Sequence, residues 1–190
     1  MCRVGRQAKL GTSREGVSEL GVTPRPRPIL VVMGVSGCGK STVAAALART
    51  LGLPMLEGDD WHTPASVAKM AAGIPLTDAD RAGWLDQLAE QLASHGSAGT
   101  GCVLACSALR RCYRDRLRSG APAACFVYLH GGRELLAQRL AMRKEHYMPA
   151  SLLDSQLATL ELPQPDEHAV CLDIIQSPPC MVAAVQRVLG

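Results

Sequence analysis

Residues 34–41 restrict the possible folds of this chain more than any other part of its sequence. They fit the pattern G-x-x-x-x-G-K-[ST], and they stand between the apolar run Ile29–Met33 and a run with helical periodicity at 41–51. Glycines here let the backbone curl until successive N–H groups point at phosphate oxygens, and the start of the following helix adds partial positive charge. The pattern therefore predicts a strand, a phosphate-binding loop and a helix that together hold a nucleoside triphosphate.

The residue types in this loop suit the parts of a bound nucleotide. Lys40 is placed to reach the β- and γ-phosphates, and Ser41 is placed to bind Mg²⁺. Cys38 could serve a redox role, although a small residue that fills a tolerant position is the simpler interpretation. The residues predicted to bind the nucleotide here are Gly34, Val35, Ser36, Gly37, Cys38, Gly39, Lys40, Ser41 and Thr42.

The rest of the chain alternates short apolar runs with amphipathic ones, which is typical of a parallel sheet covered by helices on both faces. The predicted strands are 29–33, 54–56, 102–106, 124–129 and 169–175. The predicted helices are 41–51, 64–72, 78–94, 132–144, 152–160 and 179–189. The sequence thus predicts a three-layer α/β domain with a parallel five-stranded sheet.

Composition excludes several classes of partner. The chain is 47% hydrophobic and 19% charged, so it can bury a sizeable core, yet no apolar run approaches the roughly 18–20 residues of a membrane span. Aromatic residues make up only 3%, and residues 29–190 are close to neutral, which argues against a nucleic-acid partner. The 8 cysteines include no C-x-x-C pair, which favours reduced thiols in the cytoplasm over a secreted disulfide framework.

The first 28 residues differ from the rest of the chain. They are basic, rich in glycine and proline, and lack periodicity, which predicts a disordered basic leader before a folded domain at 29–190. Their composition loosely resembles an organellar transit peptide but contains no apolar core of a secretory signal. An unstructured tail or an upstream-extended start is the favoured interpretation.

Other signals decide among the classes of phosphate-loop protein. The N-K-x-D motif and the ordered D-x-x-G switch of GTPases are absent, and the runs 102–106 and 124–129 lack the terminal carboxylate of AAA and ABC ATPases. A carboxylate instead follows the short run 54–56, at Asp59, where it can assist Mg²⁺ and accept a hydroxyl proton. A turn and a helix cap would explain one member of the pair Asp59 and Asp60, but not obviously both. This arrangement is typical of kinases of small metabolites.

Further motifs make residues 29–189 resemble the gluconokinases, a family among the phosphate-loop kinases that are similar to shikimate and adenylate kinases. The matching segments are 34–41, 58–62 (G-D-D-W-H), 69–81 with Trp84-Leu85, 106–110 (C-S-A-L-R) with 113–115 and 117–118, Arg139 with Arg143 and His146-Tyr147, and Ser155-Gln156 with Leu160-Glu161 and Pro163. These motifs in this order are specific to the family. The chain departs from the family pattern at Thr63, Ser66 and Tyr147. It departs also at Gly83, a position where the family usually has Pro.

The resemblance implies a phosphate-loop kinase fold with a helical lid, ATP and Mg²⁺ as cofactors, D-gluconate as the sugar-acid substrate, and a homodimer. It implies catalytic roles for Lys40, for Asp59 as base and metal-side carboxylate, and for Arg139 in the lid, where Arg143 also contacts the nucleotide. Mg²⁺ would be held by Ser41 and Asp59. The residues expected to bind the substrate are His62, Lys69, Arg81 and Arg110.

Physical arguments support some of these roles and weaken others. Lys69 and Arg81 are natural counterparts of a sugar-acid carboxylate. Thr77 and Asp80 are sufficiently explained as a capping box at a helix start. Most arginines of the segment 110–118 fit a solvated surface as well as a site, and Arg110 is the exception because it is nearest to a strand end.

Two other functions stay open at this point. A kinase of another small hydroxy acid, such as shikimate, would use the same machinery, although the motif at 69–76 argues against it. A catalytically silent nucleotide-binding regulatory module is the alternative from another class, and the intact Lys40, Ser41 and Asp59 argue against that.

Overall fold

The structure is a computed structural model that describes residues 27–142 and 151–190. In these residues the strands are β1 (Ile29–Met33), β2 (Met55–Glu57), β3 (Cys102–Ala105), β4 (Cys125–His130) and β5 (Val170–Asp173). The α-helices are α1 (Lys40–Leu51), α2 (Pro64–Ala71), α3 (Asp78–Ser97), α4 (Arg111–Gly120), α5 (Arg133–Ala141), α6 (Ser151–Thr159) and α7 (Pro178–Leu189). Short 3₁₀ helices lie at Gly58–Trp61 and Pro165–Glu167.

The sheet is parallel throughout, in the order β2-β3-β1-β4-β5, and its central strand is β1. Side chains of β1 alternate between the two faces of the sheet. Leu30 and Val32 belong to a buried cluster that includes residues of α1 and α7, whereas Val31 and Met33 belong to a second cluster that includes residues of α3. The predicted three-layer α/β fold is confirmed.

The loops that follow β1, β2 and β3 meet at one edge of the sheet. The N–H of Gly34, after β1, donates to the carbonyl oxygen of Ser107, after β3, at 3.2 Å. A Cβ atom at Gly58, after β2, would lie 2.6 Å from the carbonyl oxygen of Ala105. Strands β2 and β3 lie on one side of β1, whereas β4 and β5 lie on the other side. Ligands of open α/β sheets bind where the strand order reverses in this way.

The predicted elements agree with the observed ones to within a few residues, except that one observed helix was not predicted. That helix is α4, and its Arg114 is fully buried, unlike the solvated surface that a run of arginines suggests. The predicted helix at 132–144 corresponds to α5, and its last two residues lie outside the described residues. None of the helices in the described part of the chain has the length and apolarity that a membrane crossing needs.

Most of the predicted leader, residues 1–26, also lies outside the described residues. Arg27, near the end of the predicted leader, contacts the domain: its Nη2 donates to the carbonyl oxygens of Leu51 at 3.1 Å and Gly52 at 2.7 Å. These carbonyls belong to the C-terminal end of α1, where a cation is favoured by the helix dipole. The domain boundary at residue 28 stays a prediction.

Candidate active site

The phosphate loop connects β1 to α1 through three glycines with positive φ. Gly34, Gly37 and Gly39 have φ angles of 139°, 85° and 94°. At Gly34 a Cβ atom would lie 2.5 Å from the carbonyl oxygen of Leu129, so only glycine fits there. The loop ends at Lys40, the first residue of α1, whose Nζ donates to the carbonyl oxygen of Val35 at 3.2 Å. The strand–loop–helix unit therefore has the form that phosphate binding requires.

A cavity opens beside this loop and brings together residues from distant parts of the chain. It is lined by Ser36, Gly37, Gly39, Lys40, Ser41, Glu57, Asp59, His62, Met70, Leu76, Arg81, Trp84, Ser107, Leu109 and Gln156. Five residues predicted for catalysis, metal or substrate are among them, namely Lys40, Ser41, Asp59, His62 and Arg81. The cavity thus places phosphate-binding groups, carboxylates and a cation around one space.

Glu57 is a carboxylate of this cavity that the sequence interpretation missed. It is the last residue of β2, two positions before Asp59, and it is partly buried. Burial raises the pKa of Glu57, and the negative charges of Asp59 and Asp60 act in the same direction, whereas a hydrogen bond with Ser41 and the charge of Lys40 oppose them. Its place directly after a predicted strand was the signal that could have found it.

His62 packs against Trp84 at the edge of the cavity. The two rings stack with centroids 4.3 Å apart and an interplanar angle of 16°, and the indole N–H donates to the carbonyl oxygen of Gly58 at 2.7 Å. Nε2 of His62 lies 4.0 Å from Oδ1 of Asp59, and its buried Nδ1 has no hydrogen-bond partner among the described residues. Burial lowers the pKa of His62, and the opposing charge of Asp59 does not compensate. The imidazole is therefore neutral near pH 7, with a polar nitrogen for a ligand.

Arg81 is held in the cavity by its own surroundings. Its guanidinium donates to the carbonyl oxygen of Leu76 and lies over the ring of Tyr113, 5.6 Å from the ring centroid. The positive charge of Arg81 lowers the pKa of His62, whereas the negative charge of Asp59 raises it. A negatively charged ligand beside Arg81 would therefore lie close to the same histidine that faces Asp59.

Two of the predicted substrate cations do not line the cavity. Nζ of Lys69 lies 2.7 Å from Oδ1 of Asp80, and Nη1 of Arg110 lies 2.5 Å from Oδ2 of Asp78. Both aspartates belong to the first turn of α3, where carboxylates are favoured by the helix dipole. The hydrogen bond from Lys69 and those from Thr77 hold the pKa of Asp80 well below its usual range. The capping box of Thr77 and Asp80 is present as predicted.

Arg139 does not line the main cavity, although its surroundings include Gly39 of the phosphate loop. With Cys38, Gly39, Thr42, Val43, Gln176, Pro178 and Met181 it lines another cavity. Nη2 of Arg139 donates to the carbonyl oxygen of Ile174 at 2.8 Å, which fixes the guanidinium beside the start of α1. Arg143, His146 and Tyr147 of the predicted lid lie outside the described residues.

Gln156 is a second cavity residue whose role the sequence interpretation missed. It lies on α6, and its Oε1 accepts a hydrogen bond from the backbone N–H of Ser36 at 2.6 Å. The two residues are 120 positions apart in the sequence, which explains why no local pattern predicts this contact. The motif Ser155-Gln156 was the available signal, but it gave no indication of the partner.

The departures at Ser66 and Gly83 lie outside the lining of the main cavity. Ser66 is buried at the start of α2, where its N–H donates to Oγ1 of Thr63 at 3.2 Å and thereby forms the helix cap. Gly83 lies in α3, and a Cβ atom there would meet nothing within 4 Å. Helix capping accounts for Ser66, whereas nothing in the structure explains the glycine at position 83.

Comparison with known proteins gives one consistent set of similarities. A family model described as an AAA domain matches residues 29–163. The gluconokinase of Gluconobacter oxydans (strain 621H) is 51% identical over 156 residues, which cover 82% of this chain and 86% of the relative. The unliganded structure of a sugar kinase from Janibacter sp. HTCC2649 has a TM-score of 0.83 at 46% identity and covers 86% of this chain and 95% of that one. A gluconokinase from Sinorhizobium meliloti 1021 has a TM-score of 0.77 at 46% identity, with coverages of 86% and 94%.

The match to an AAA domain corrects the expectation, drawn from the strand ends, that the chain lies outside the AAA proteins. The family match covers the phosphate loop and most of the sheet. The strand beside β1 is nevertheless followed by Cys106 and Ser107 rather than by a carboxylate, and Glu57 and Asp59 come from the strand beyond it. The chain shares the domain of that family and has its carboxylates one strand further from β1.

Proposed function

The chain belongs to the gluconokinase family, and we propose that it transfers the γ-phosphoryl group of ATP to D-gluconate in the cavity beside the phosphate loop. The products are ADP and 6-phospho-D-gluconate. The geometry that carries this proposal is the meeting of the phosphate-binding residues Lys40 and Ser41 with Asp59 and Arg81 in one cavity. The cavity thus supplies groups that bind the nucleotide, a base for the hydroxyl and a cation for the acid.

Asp59 acts as the general base. A hydroxyl oxygen of gluconate attacks the γ-phosphorus, the bond from that phosphorus to the bridging oxygen of ADP breaks, and the hydroxyl proton passes to the Asp59 carboxylate. A positioned carboxylate can accept this proton as the new P–O bond forms. Its place after β2 and beside the phosphate loop supports the assignment.

Positive charge stabilises the phosphoryl group during transfer. Lys40 reaches the β- and γ-phosphates from the start of α1, and the loop N–H groups surround them. Arg139 lines a cavity with Gly39 and Thr42, and its proposed role is to contact the nucleotide through its guanidinium and add to this charge. The family resemblance implies that Arg143, which lies outside the described residues, completes the lid.

The cavity also fits the magnesium ion that accompanies ATP. Ser41, Glu57 and Asp59 offer a hydroxyl and two carboxylates, and hard oxygen donors are what Mg²⁺ prefers. Among the described residues no cluster of three or more His, Cys, Asp or Glu side chains could hold a metal, so these groups would share the ion with the phosphates. When bound, Mg²⁺ neutralises charge on the transferring phosphate.

The acceptor lies on the side of the cavity formed by α2 and α3. Arg81 binds its carboxylate, and the neutral His62 offers Nδ1 to one of its hydroxyls. Lys69 and Arg110 support this side through Asp80 and Asp78 at the start of α3. Either cation could still turn to a bound acid, because both side chains are partly exposed.

An assay of ADP release across a panel of acceptors tests the proposal. Turnover with gluconate that exceeds turnover with shikimate and with other sugar acids supports it. Turnover with another hydroxy acid would keep the mechanism and change the substrate. ATP binding without turnover on any acid would favour the regulatory module instead.

We also place the enzyme in the cytoplasm and infer a homodimer from the family resemblance. The cysteines of the described residues are all free, and three of them are buried, which suits a reducing compartment. Sedimentation equilibrium of the purified chain tests the dimer, and a mass of one chain would contradict it.

A further inference from the structure

Arg81 is the cation proposed to bind the acceptor's carboxylate, and it forms no ion pair within the part of the chain that the structure describes. The arginines of α4 and its cap differ, since Arg110, Arg111 and Arg114 each form an ion pair with an aspartate or glutamate. The guanidinium of Arg81 donates to the carbonyl oxygen of Leu76, which is uncharged. The positive charge of Arg81 is therefore not cancelled by a neighbouring carboxylate.

The ring of Tyr113 contacts this guanidinium from the neighbouring helix. Tyr113 is buried on α4, and the guanidinium carbon of Arg81 lies over its ring, 5.6 Å from the centroid. An aromatic ring attracts a cation through the partial negative charge of its face, and it carries no net charge that would neutralise the cation. Tyr113 can therefore hold Arg81 in place while the guanidinium keeps its charge for an anion.

The hydroxyl of Tyr113 fixes the ring in turn. It donates to Oδ1 of Asp78, and Oδ2 of the same carboxylate lies 2.5 Å from Nη1 of Arg110. The hydrogen bond from Tyr113 and the charge of Arg110 hold the pKa of Asp78 below its ordinary value, so the acceptor is a carboxylate at neutral pH. Asp78 and Arg81 lie about one turn apart on α3, so one side chain of α4 can contact both. A phenol that donates to an anion also has a more electron-rich ring, which favours the cation.

We propose that Tyr113 is a positioning residue for acid recognition: its ring holds the guanidinium of Arg81, with the charge intact, where the acceptor's carboxylate binds. The inference rests on the proposed function, because it takes a sugar acid as the acceptor and Arg81 as its cation. Tyr113 does not line the main cavity, so it acts on the acceptor only through Arg81. The segment 113–115, which the proposed function leaves without a role, thereby gains one.

The substitutions Tyr113→Leu and Tyr113→Phe test the ring and the hydroxyl separately. Leucine removes the ring, whereas phenylalanine keeps the ring and loses only the hydroxyl. We expect KM for gluconate, at saturating ATP, to rise at least about fivefold in Tyr113→Leu and by less in Tyr113→Phe. KM for ATP, at saturating gluconate, should stay within about twofold of wild type in both variants. An unchanged KM for gluconate in Tyr113→Leu, or an equal rise in Tyr113→Phe, overturns the inference.

A buried residue of the same helix provides the matched control. Leu117 lies one turn after Tyr113 on α4 and belongs to the same buried cluster. Leu117→Val should lower the melting temperature and leave KM for gluconate within about twofold of wild type. If Leu117→Val raises KM for gluconate as much as Tyr113→Leu does, a loosened α4 and not the ring is responsible, and the inference is wrong.

A double-mutant comparison tests whether Tyr113 acts through Arg81. If it does, the effects of Arg81→Gln and Tyr113→Leu on KM for gluconate do not add. Tyr113→Leu introduced into Arg81→Gln should therefore raise KM for gluconate by less than about twofold further. A further rise as large as the one that Tyr113→Leu causes in the wild type overturns the inference.

A fluorinated ring replaces leucine if Tyr113→Leu does not fold. Trifluorophenylalanine at position 113 has nearly the shape of phenylalanine, but its fluorines draw electron density from the ring face and weaken the attraction for Arg81. KM for gluconate should be at least about threefold higher with the fluorinated ring than in Tyr113→Phe, and equal values contradict the inference. A wild-type enzyme that does not turn over gluconate shows instead, without any variant, that the proposed function itself is wrong.

Discussion

The guanidinium of Arg114 donates to both carboxylate oxygens of Glu167, at 2.6 and 2.8 Å, and both side chains are almost completely buried. The remaining nitrogen of Arg114 donates to the carbonyl oxygens of Ala108, Leu109 and Glu161. Ala108 has a φ of 43°, in the left-handed region that favours glycine. The ion pair therefore supports the strained loop after β3, which also accepts a hydrogen bond from the phosphate loop.

Replacing Arg114 by methionine should lower the free energy of unfolding by about 3–5 kcal/mol, because it leaves Glu167 buried with less compensation. The value should lie near the lower end, since Arg118 also contacts Glu167 at 3.2 Å. Urea unfolding measures the change. The matched control is Arg116→Met, which breaks the exposed pair with Asp86 and should leave the stability nearly unchanged. Equal losses in the two variants would contradict this assignment.

Acidification should destabilise the protein through His62. Burial lowers the pKa of this histidine in the folded state, so below its ordinary pKa of 6.5 the unfolded chain binds a proton that the folded chain does not. The free energy of unfolding then falls as the pH drops below 6.5, and it levels off once the pH is below the folded pKa. Urea unfolding at pH 7.5 and 5.5 should show a steeper loss for wild type than for His62→Gln. The same slope in both proteins would show that another group is responsible.

Two helical glycines should respond in opposite ways to alanine. At Gly83 the added Cβ meets nothing within 4 Å, so Gly83→Ala should stabilise the protein by about 0.5–1 kcal/mol through helix propensity. At Gly120 the added Cβ would lie 2.0 Å from the carbonyl oxygen of Ala89, so Gly120→Ala should destabilise by about 1–3 kcal/mol. Melting curves of the two variants provide the comparison. A destabilised Gly83→Ala would show that the position in α3 is constrained by something other than space.

Glu57 should determine how much Mg²⁺ the reaction needs. Its carboxylate lines the cavity and hydrogen-bonds Ser41, so Glu57→Gln should raise the Mg²⁺ concentration for half-maximal activity about tenfold. A titration of activity with Mg²⁺ at fixed ATP measures it. Asp60→Asn is the control, because Asp60 is exposed and does not line the cavity. An unchanged titration in Glu57→Gln would remove this carboxylate from the metal site.

The parts of the site that the sequence predicted are those that depend on neighbours along the chain. The phosphate loop needs glycines at fixed spacing, and Asp59 follows a strand by a few residues, so a local pattern reveals both. The capping box of Thr77 and Asp80 likewise lies within four consecutive residues. Arg81 was found by the chemistry of its charge and lies in the cavity as expected.

Apart from Glu57, the parts that were missed depend on distant contacts. Arg114 is buried because Glu167, 53 residues later in the chain, neutralises it, and Gln156 reaches the phosphate loop across 120 residues. A run of arginines or a single glutamine contains no information about such partners. Lys69 was predicted in the cavity from its charge and Arg110 from its place near a strand end, and the carboxylates of α3 bind both of them outside its lining.

The comparison of Asp59→Asn with Asp60→Asn tests the central claim most directly. Both changes remove one negative charge from neighbouring residues of the same 3₁₀ helix, but only Asp59 lines the cavity. With ATP and gluconate at saturation, kcat should fall by about 100-fold or more in Asp59→Asn and stay near wild type in Asp60→Asn. Equal turnover in the two variants would contradict Asp59 as the base, and with it the mechanism of phosphoryl transfer proposed for this cavity.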